Sequence, residues 1–279
     1  MKTTLNCGGK LLDLSTPRVM GIINTTPDSF YEPSRSQNID QALRQAEQML
    51  IDGAAILDIG GMSTRPGATL IDPETEQERI LPLIKSLVKH FSEVIISVDT
   101  VYATTAQAAV DAGAGIINDV SAGKFDAQLL PTIAQLRVPY VLMHLQGTPD
   151  TMQQNPHYRH GVVPTVVQFL ADKLAFLRQL GIHDVVIDPG FGFGKTTEHN
   201  YQLLKSLSVL QILGLPIMVG VSRKGMIWRT LGIDAKQALN GTTVVHTIAL
   251  LNGATLLRVH DVKEAVEAIK LVELYKNSI

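Results

Sequence analysis

Eight short apolar runs, nearly all closing on a polar residue, alternate with longer stretches of helical periodicity, and this alternation constrains the chain most. The runs are RVMGIIN (18–24), AAILDIG (54–60), VIISVDT (94–100), GIINDVS (115–121), PYVLMH (139–144), DVVIDPG (184–190), PIMVGVS (216–222) and ATLLRVH (254–260). Between them lie IDQALRQAEQML, ETEQERILPLIKSLVKHF and VVQFLADKLAFLRQL, apolar at i, i+3, i+4 and i+7. The last run is followed by VKEAVEAIKLVELYK, amphipathic in the same way. Strands apolar on both faces belong in a parallel sheet covered by helices. Eight such units in 279 residues predict an α/β fold, a (β/α)8 TIM barrel, as a single domain over residues 1–279. An open doubly wound sheet is the competing architecture.

Composition narrows the partners. Hydrophobic residues are 45% and charged residues 18%, enough for a packed core and against disorder. The net charge of −2, without a lysine-rich block, argues against nucleic acid as the main partner. A lone cysteine, Cys7, excludes an internal disulfide framework and fits a reducing compartment. The N-terminal MKTTLNCGGK lacks the apolar run of a signal peptide, and no segment reaches about 18 unbroken apolar residues. A soluble, cytoplasmic protein without membrane contact is expected.

The strand tips carry the chemistry. Asn24, Asp58, Asp99, Asn118, His144, Asp188, Ser222 with Arg223, and Arg258 with His260 stand at the C-terminal ends of the runs. In a (β/α)8 barrel these ends converge on one face, where active sites lie. A single Asp there often caps the next helix, but polar groups at all eight tips point to one coordinated site. The first tip is the most crowded: Asn24, Thr25, Thr26, Asp28 and Ser29 surround Pro27, more than an ordinary turn requires.

Three glycine-bearing loops, GGMSTRPG (60–67), DPGFGFGK (188–195) and VGVSRKG (219–225), would let a ligand approach the backbone. Arg65, Arg223, Lys224 and Arg258 lie in or beside them, and four cations at one mouth call for an anion such as phosphate. Asp99, Asn118 and Asp188 suit a heterocycle that presents N–H and NH2 donors. The alternative is that these carboxylates neutralise Lys224 and an arginine in a structural network. His144 and His260 lack a third nearby zinc ligand, and no GxSxG elbow is present.

In order along the chain, GIINTTPDSF, DIGGMSTRPGA, ISVDT, IINDVS, VLMHLQGTP, DPGFGFGK, VSRKGMI and RVHDV resemble the motifs of the dihydropteroate synthase family. The resemblance covers nearly the whole chain. It implies a homodimeric barrel that joins 6-hydroxymethyl-7,8-dihydropterin diphosphate to 4-aminobenzoate, releasing diphosphate with help from Mg2+. By the same resemblance, Asp99, Asn118 and Asp188 would bind the pterin edge and Lys224 its carbonyl. Val120, Met143, Phe193 and Gly220 would wall the pterin. Asn24, Arg65, Arg258 and His260 would hold the diphosphate, with Asn24 also near the metal. Thr64, Pro66, Phe193, Arg223, Lys224 and Gly225 would form the aminobenzoate pocket. Arg65, Lys224, Arg258 and His260 would be catalytic, supporting loss of diphosphate from the pterin methylene before attack by the arylamine. On this reading Arg258 serves the diphosphate alone, and its loss spares the binding of free pterin.

The chain departs from the family pattern at four places. Tyr31, Glu32, Pro33 and Ser34 replace a Ser-Asp-Gly-Gly pattern, and Met62 replaces a Glu before STRPG. Gly225 replaces a Ser whose hydroxyl meets the aminobenzoate carboxylate, leaving the N–H there. Trp228 and Arg229 follow where a small residue is common. Two other readings share the pterin carboxylates: a catalytically silent pterin-binding paralogue and a methyltetrahydrofolate:corrinoid methyltransferase.

Overall fold

The computed structural model describes residues 3–25, 35–62, 70–148 and 150–278. Its first element is a hairpin that the alternation above does not include. Strands β1 (Thr4–Cys7) and β2 (Lys10–Asp13) pair antiparallel across Gly8 and Gly9, both at positive φ. Two adjacent glycines are what a two-residue hairpin turn favours, because both central residues need positive φ. The signal was therefore present in NCGGK, inside a segment short of β-branched residues.

The main sheet contains β3 (Arg18–Asn24), β4 (Ile56–Gly60), β5 (Ile96–Asp99), β6 (Ile116–Asp119), β7 (Tyr140–Met143), β8 (Val185–Asp188), β9 (Met218–Val219) and β10 (Leu256–Val259). All its pairs are parallel, in the order β8-β7-β6-β5-β4-β3-β10-β9, and a bridge between Ile187 and Ile217 brings β8 against the approach to β9. The ring is thus nearly closed, a (β/α)8 TIM barrel. Each predicted run contains one of these strands, and the first coincides with its strand end to end. Helices α1 (Arg35–Ile51), α2 (Pro73–His90), α3 (Ala103–Asp111), α4 (Leu129–Leu136), α5 (Val162–Gln179), α6 (Thr197–Lys205), α7 (Gly225–Leu231), α8 (Leu239–Leu251) and α9 (Val262–Asn277) surround it.

Side chains alternate between the two faces of each strand, and the two sets pack separately. Val19, Leu57, Ile96, Val98, Ile117, Tyr140, Leu142, Ile187 and Leu257 join the large core beneath the helices. Met20, Ile56, Ile116, Val141, Val186, Met218 and Leu256 face inward, where they meet Leu5, Cys7, Leu12 and Leu14 of the hairpin. The hairpin therefore plugs the N-terminal end of the barrel with apolar side chains. Its fit is close: a β-carbon on Gly115 would lie 2.9 Å from the Cys7 carbonyl oxygen. Burial pushes the Cys7 thiol up to about 12, so it stays protonated and inert.

Two residues further along four of these inward series the chemistry changes. Ile56 gives way to Asp58, Ile116 to Asn118, Val186 to Asp188 and Leu256 to Arg258. Register aligns Asn24 with Gly60, Gly60 with Asp99, and Asp99 with Asn118. The same two-residue period that fills the barrel floor with aliphatic groups thereby assembles a polar layer at its mouth.

Candidate active site

A buried carboxylate organises this layer. Asp58, fully buried, accepts a hydrogen bond on Oδ2 from Arg258 Nε at 2.6 Å and another from Asn118 Nδ2 at 3.1 Å. Arg258 also donates from a terminal nitrogen to Asp99 Oδ2 at 2.8 Å. The first bond pair fixes the Asn118 amide, because its NH2 is spent on Asp58 and its carbonyl oxygen remains for a ligand donor. Asp188 is fixed in the same way: Oδ1 accepts from the Gly190 N–H at 2.7 Å. Asn118, Asp99 and Asp188 thus each keep an acceptor oxygen without a hydrogen-bond partner among the described residues. Burial raises the Asp99 carboxyl pKa, opposed by the Arg258 guanidinium, and burial raises that of Asp188, opposed by Lys224.

Lys224 crosses this layer from the loop after β9. Its ammonium donates to the Phe191 carbonyl and lies 4.7 Å from the centre of the Phe193 ring. Burial lowers its pKa to about 8, with Asp188 opposing the shift. Gly220 belongs here because a β-carbon would come within 3.9 Å of both Lys224 Nζ and the Arg258 β-carbon. Beside the polar groups stands an apolar wall of Met62, Val101, Val120, Met143, Leu145 and Met152, with Phe193 packed against it. Val120, Met143 and Phe193 therefore share one surface, and Met62 joins it.

Asn24 ends β3 in the same row as Asp99 and Asn118, with its side chain exposed at the rim. The Ser222 hydroxyl is 3.2 Å from the His260 backbone nitrogen and 3.1 Å from its Nδ1. Thr64, Arg65 and Pro66 lie outside the described residues, as do Thr26 to Ser34.

Arg223, expected at the aminobenzoate pocket through the turn that it shares with Lys224 and Gly225, has its guanidinium forked onto Asp261 at 2.8 and 2.9 Å. The same side chain donates to the carbonyls of Ala235 and Lys236, and its backbone N–H is taken by Thr242. With φ at 53°, Arg223 reverses the chain and sets Lys224 toward the mouth. The four-cation argument weakens accordingly, because Arg223 and Arg258 already have protein carboxylates.

His144 was expected at the mouth, but alternation turns Met143 inward and His144 outward. Its Nδ1 accepts from Lys195 Nζ at 2.9 Å, and its ring packs edge-on against Phe169 of α5. Burial, then Lys195, holds His144 down to about 2, so it is neutral. Lys195 also donates to the Gly190 and Phe193 carbonyls, tying down the turn that carries Phe193.

Asp58 is the residue that sequence reasoning placed at a tip without assigning to the site. The signal was its inward parity, two residues beyond Ile56. Behind it, Glu76 of α2 is fully buried and accepts from the Thr100 hydroxyl at 2.6 Å, while its Oε1 lacks a hydrogen-bond partner among the described residues. Burial pushes Glu76 from 4.5 up to about 7, with the Thr100 bond opposing. A carboxyl whose folded pKa exceeds its unfolded value binds its proton more tightly when folded. Its contribution to stability is therefore present below about pH 4.5, is lost as pH rises to about 7, and is level above. Glu76→Gln should remove that slope and raise the melting temperature at pH 8 by a few °C, on the order expected for about 1 kcal/mol. A melt at pH 8 below that of the unmodified protein would show that Glu76 is needed as a carboxylate.

The chain matches the profile of the pterin binding enzyme family over residues 20–260. It is 42% identical over 267 residues to the dihydropteroate synthase of Escherichia coli strain K12, covering 95% of this chain and 94% of that one. The Yersinia pestis dihydropteroate synthase in a sulfonamide drug complex superimposes with a TM-score of 0.92 at 41% identity, over 99% of this chain and 100% of that one. The Xanthomonas albilineans dihydropteroate synthase in complex with 7,8-dihydropteroate gives 0.88 at 37% identity, over 100% of both chains.

Proposed function

The chain belongs to the dihydropteroate synthases among the pterin binding enzymes, and from that membership we propose how its own residues divide the reaction. As a transferase of folate biosynthesis, it joins 6-hydroxymethyl-7,8-dihydropterin diphosphate to 4-aminobenzoate, giving 7,8-dihydropteroate and diphosphate. The observation that carries the assignment of residues is the acceptor layer. Asn118, locked on Asp58, offers a carbonyl oxygen beside Asp99 and Asp188, and these three match the N–H and NH2 edge of a pterin. Lys224 supplies the donor for the pterin carbonyl, and Val120, Met143 and Phe193 the apolar wall.

Arg258 stands between this layer and the rim, with a terminal nitrogen that no hydrogen bond to a described residue engages, and it takes the diphosphate together with His260 and Arg65. The C–O bond at the pterin methylene breaks with its electrons leaving on diphosphate, where these donors meet the developing charge. The arylamine lone pair then forms the C–N bond, and the amine loses one proton. Arylamines are weak bases, so no strong general base is required. The arylamine lies over Phe193 and Lys224, next to Gly225. Among the described residues no three His, Cys, Asp or Glu side chains cluster as a metal site. A Mg2+ carried on the diphosphate needs few protein ligands, and the exposed Asn24 carboxamide fits that need. Mg2+ there would neutralise charge on the leaving group.

The exposed apolar side chains Val244, Ile248 and Leu251 of α8 and Leu271, Leu274 and Tyr275 of α9 support a homodimer through these helices. Sedimentation showing only monomer at micromolar concentration would discard it. No described helix is long and apolar enough to cross a membrane. The test of the whole reading is diphosphate release from the pterin substrate by the purified protein. Release is expected only when 4-aminobenzoate is present, with dihydropteroate formed in equal amount. Pterin binding without turnover would favour the silent paralogue.

A further inference from the structure

Near the rim built by β9, α7 and β10, Arg223 and Arg258 are forked onto protein carboxylates. Arg229 differs. It is exposed, one helical turn along α7 from Gly225, and its side chain makes no hydrogen bond or ion pair with a described residue. Its guanidinium carbon lies 4.9 Å from the Trp228 ring centre, so the fork is steadied by stacking while its N–H groups stay unspent. A β-carbon on Gly225 would come 3.3 Å from Arg229 Nε, 3.5 Å from its guanidinium carbon and 3.6 Å from the Trp228 ring. The guanidinium and the indole therefore border the space that a side chain at position 225 would enter. Gly225 directly follows Lys224, whose ammonium sits over Phe193 in the mouth.

We infer that Arg229, held on Trp228, is a specificity-determining residue that takes the carboxylate of the arylamine substrate. The inference rests on the reading that the arylamine lies over Phe193 and Lys224 beside Gly225. A planar fork matches a planar carboxylate with two parallel charge-assisted bonds, which a neutral amide cannot reproduce. The glycine, the tryptophan and the arginine then act as one device: the glycine keeps the space clear, the indole orients the fork, and the fork selects an anionic arylamine.

The test compares 4-aminobenzoate with the uncharged 4-aminobenzamide in the diphosphate-release assay, using the full-length protein. Arg229→Gln should raise the KM for 4-aminobenzoate about tenfold or more, the scale of a lost charge-assisted contact. The KM for the pterin diphosphate should stay within about twofold. Turnover with 4-aminobenzamide should be the same for both proteins, and Arg229→Lys should recover part of the loss through its point charge. An unchanged KM for 4-aminobenzoate in Arg229→Gln would overturn the assignment. So would equal losses with the acid and the amide, which would make Arg229 a prop for Trp228 and α7. A wild-type protein that releases no diphosphate with either arylamine overturns the underlying reading, and the role of Arg229 with it.

Discussion

Asp188→Asn should lose pterin affinity by about 100-fold or more while the barrel stays folded. The Gly190 N–H already bonds Asp188 Oδ1, and the amide oxygen of an asparagine would keep that bond. The NH2 group would then replace the free carboxylate oxygen, so a donor would face a pterin donor. An unpaired polar contact in a buried site costs about 1–3 kcal/mol, and more where a charge was involved. The charge itself matters to the neighbours. Lys224 and Lys195 are held by burial at about 8 and about 7, and the Asp188 carboxylate opposes that shift in both. Without it, each ammonium loses an opposing negative charge and sheds its proton at lower pH. Lys224 would then be a weaker donor to the pterin carbonyl, and Lys195 would grip the Phe193 turn less firmly. Calorimetry with the pterin and circular dichroism together decide the matter: unchanged affinity in a folded variant would remove Asp188 from the site.

How far the sequence revealed this arrangement depends on which physical rule governed each residue. Period-two alternation is strict within a strand, so Asp99, Asn118, Asp188 and Arg258 could be placed at one face of one barrel from spacing alone. His144 was misplaced because the run PYVLMH was read to its polar end without that rule, whereas parity puts Met143 in the mouth and His144 among α5 and Lys195. The Arg223 ion pair with Asp261 was hidden for another reason. The left-handed backbone of Arg223 reverses the chain, and no periodicity carries across such a residue. Asp58 was visible as a tip but not as a site residue, since it acts through Arg258 and Asn118, and pairings between distant strands have no local signature. The hairpin under the barrel was missed because TLNC and KLLD are short of β-branched residues, although Gly8 and Gly9 marked its turn.

Arg258→Ala should reduce turnover by about 10²-fold or more, the scale seen when a group that stabilises developing charge is removed. The sequence reading expected free pterin to bind this variant as well as the unmodified protein. The hydrogen bonds argue otherwise. Arg258 joins Asp58 to Asp99, and Asp58 in turn fixes the Asn118 amide. Its removal leaves two buried carboxylates without their cation. Deleting one partner of a buried pair costs about 3–5 kcal/mol, because the remaining charge stays desolvated. The Asp99 carboxyl, already raised by burial and held down by Arg258, would rise further and take up a proton near neutral pH. A protonated Asp99 presents an O–H toward a ligand edge that also donates. Free pterin should therefore bind Arg258→Ala more weakly, and pterin diphosphate should lose more still, because it forfeits the guanidinium as well. Arg258→Lys should fall between, since one ammonium can hold a single carboxylate but cannot span Asp58 and Asp99. Titrating both ligands into both variants separates the two roles. If Arg258→Ala binds free pterin with wild-type affinity, Arg258 serves the diphosphate alone and Asp58 holds Asn118 without help.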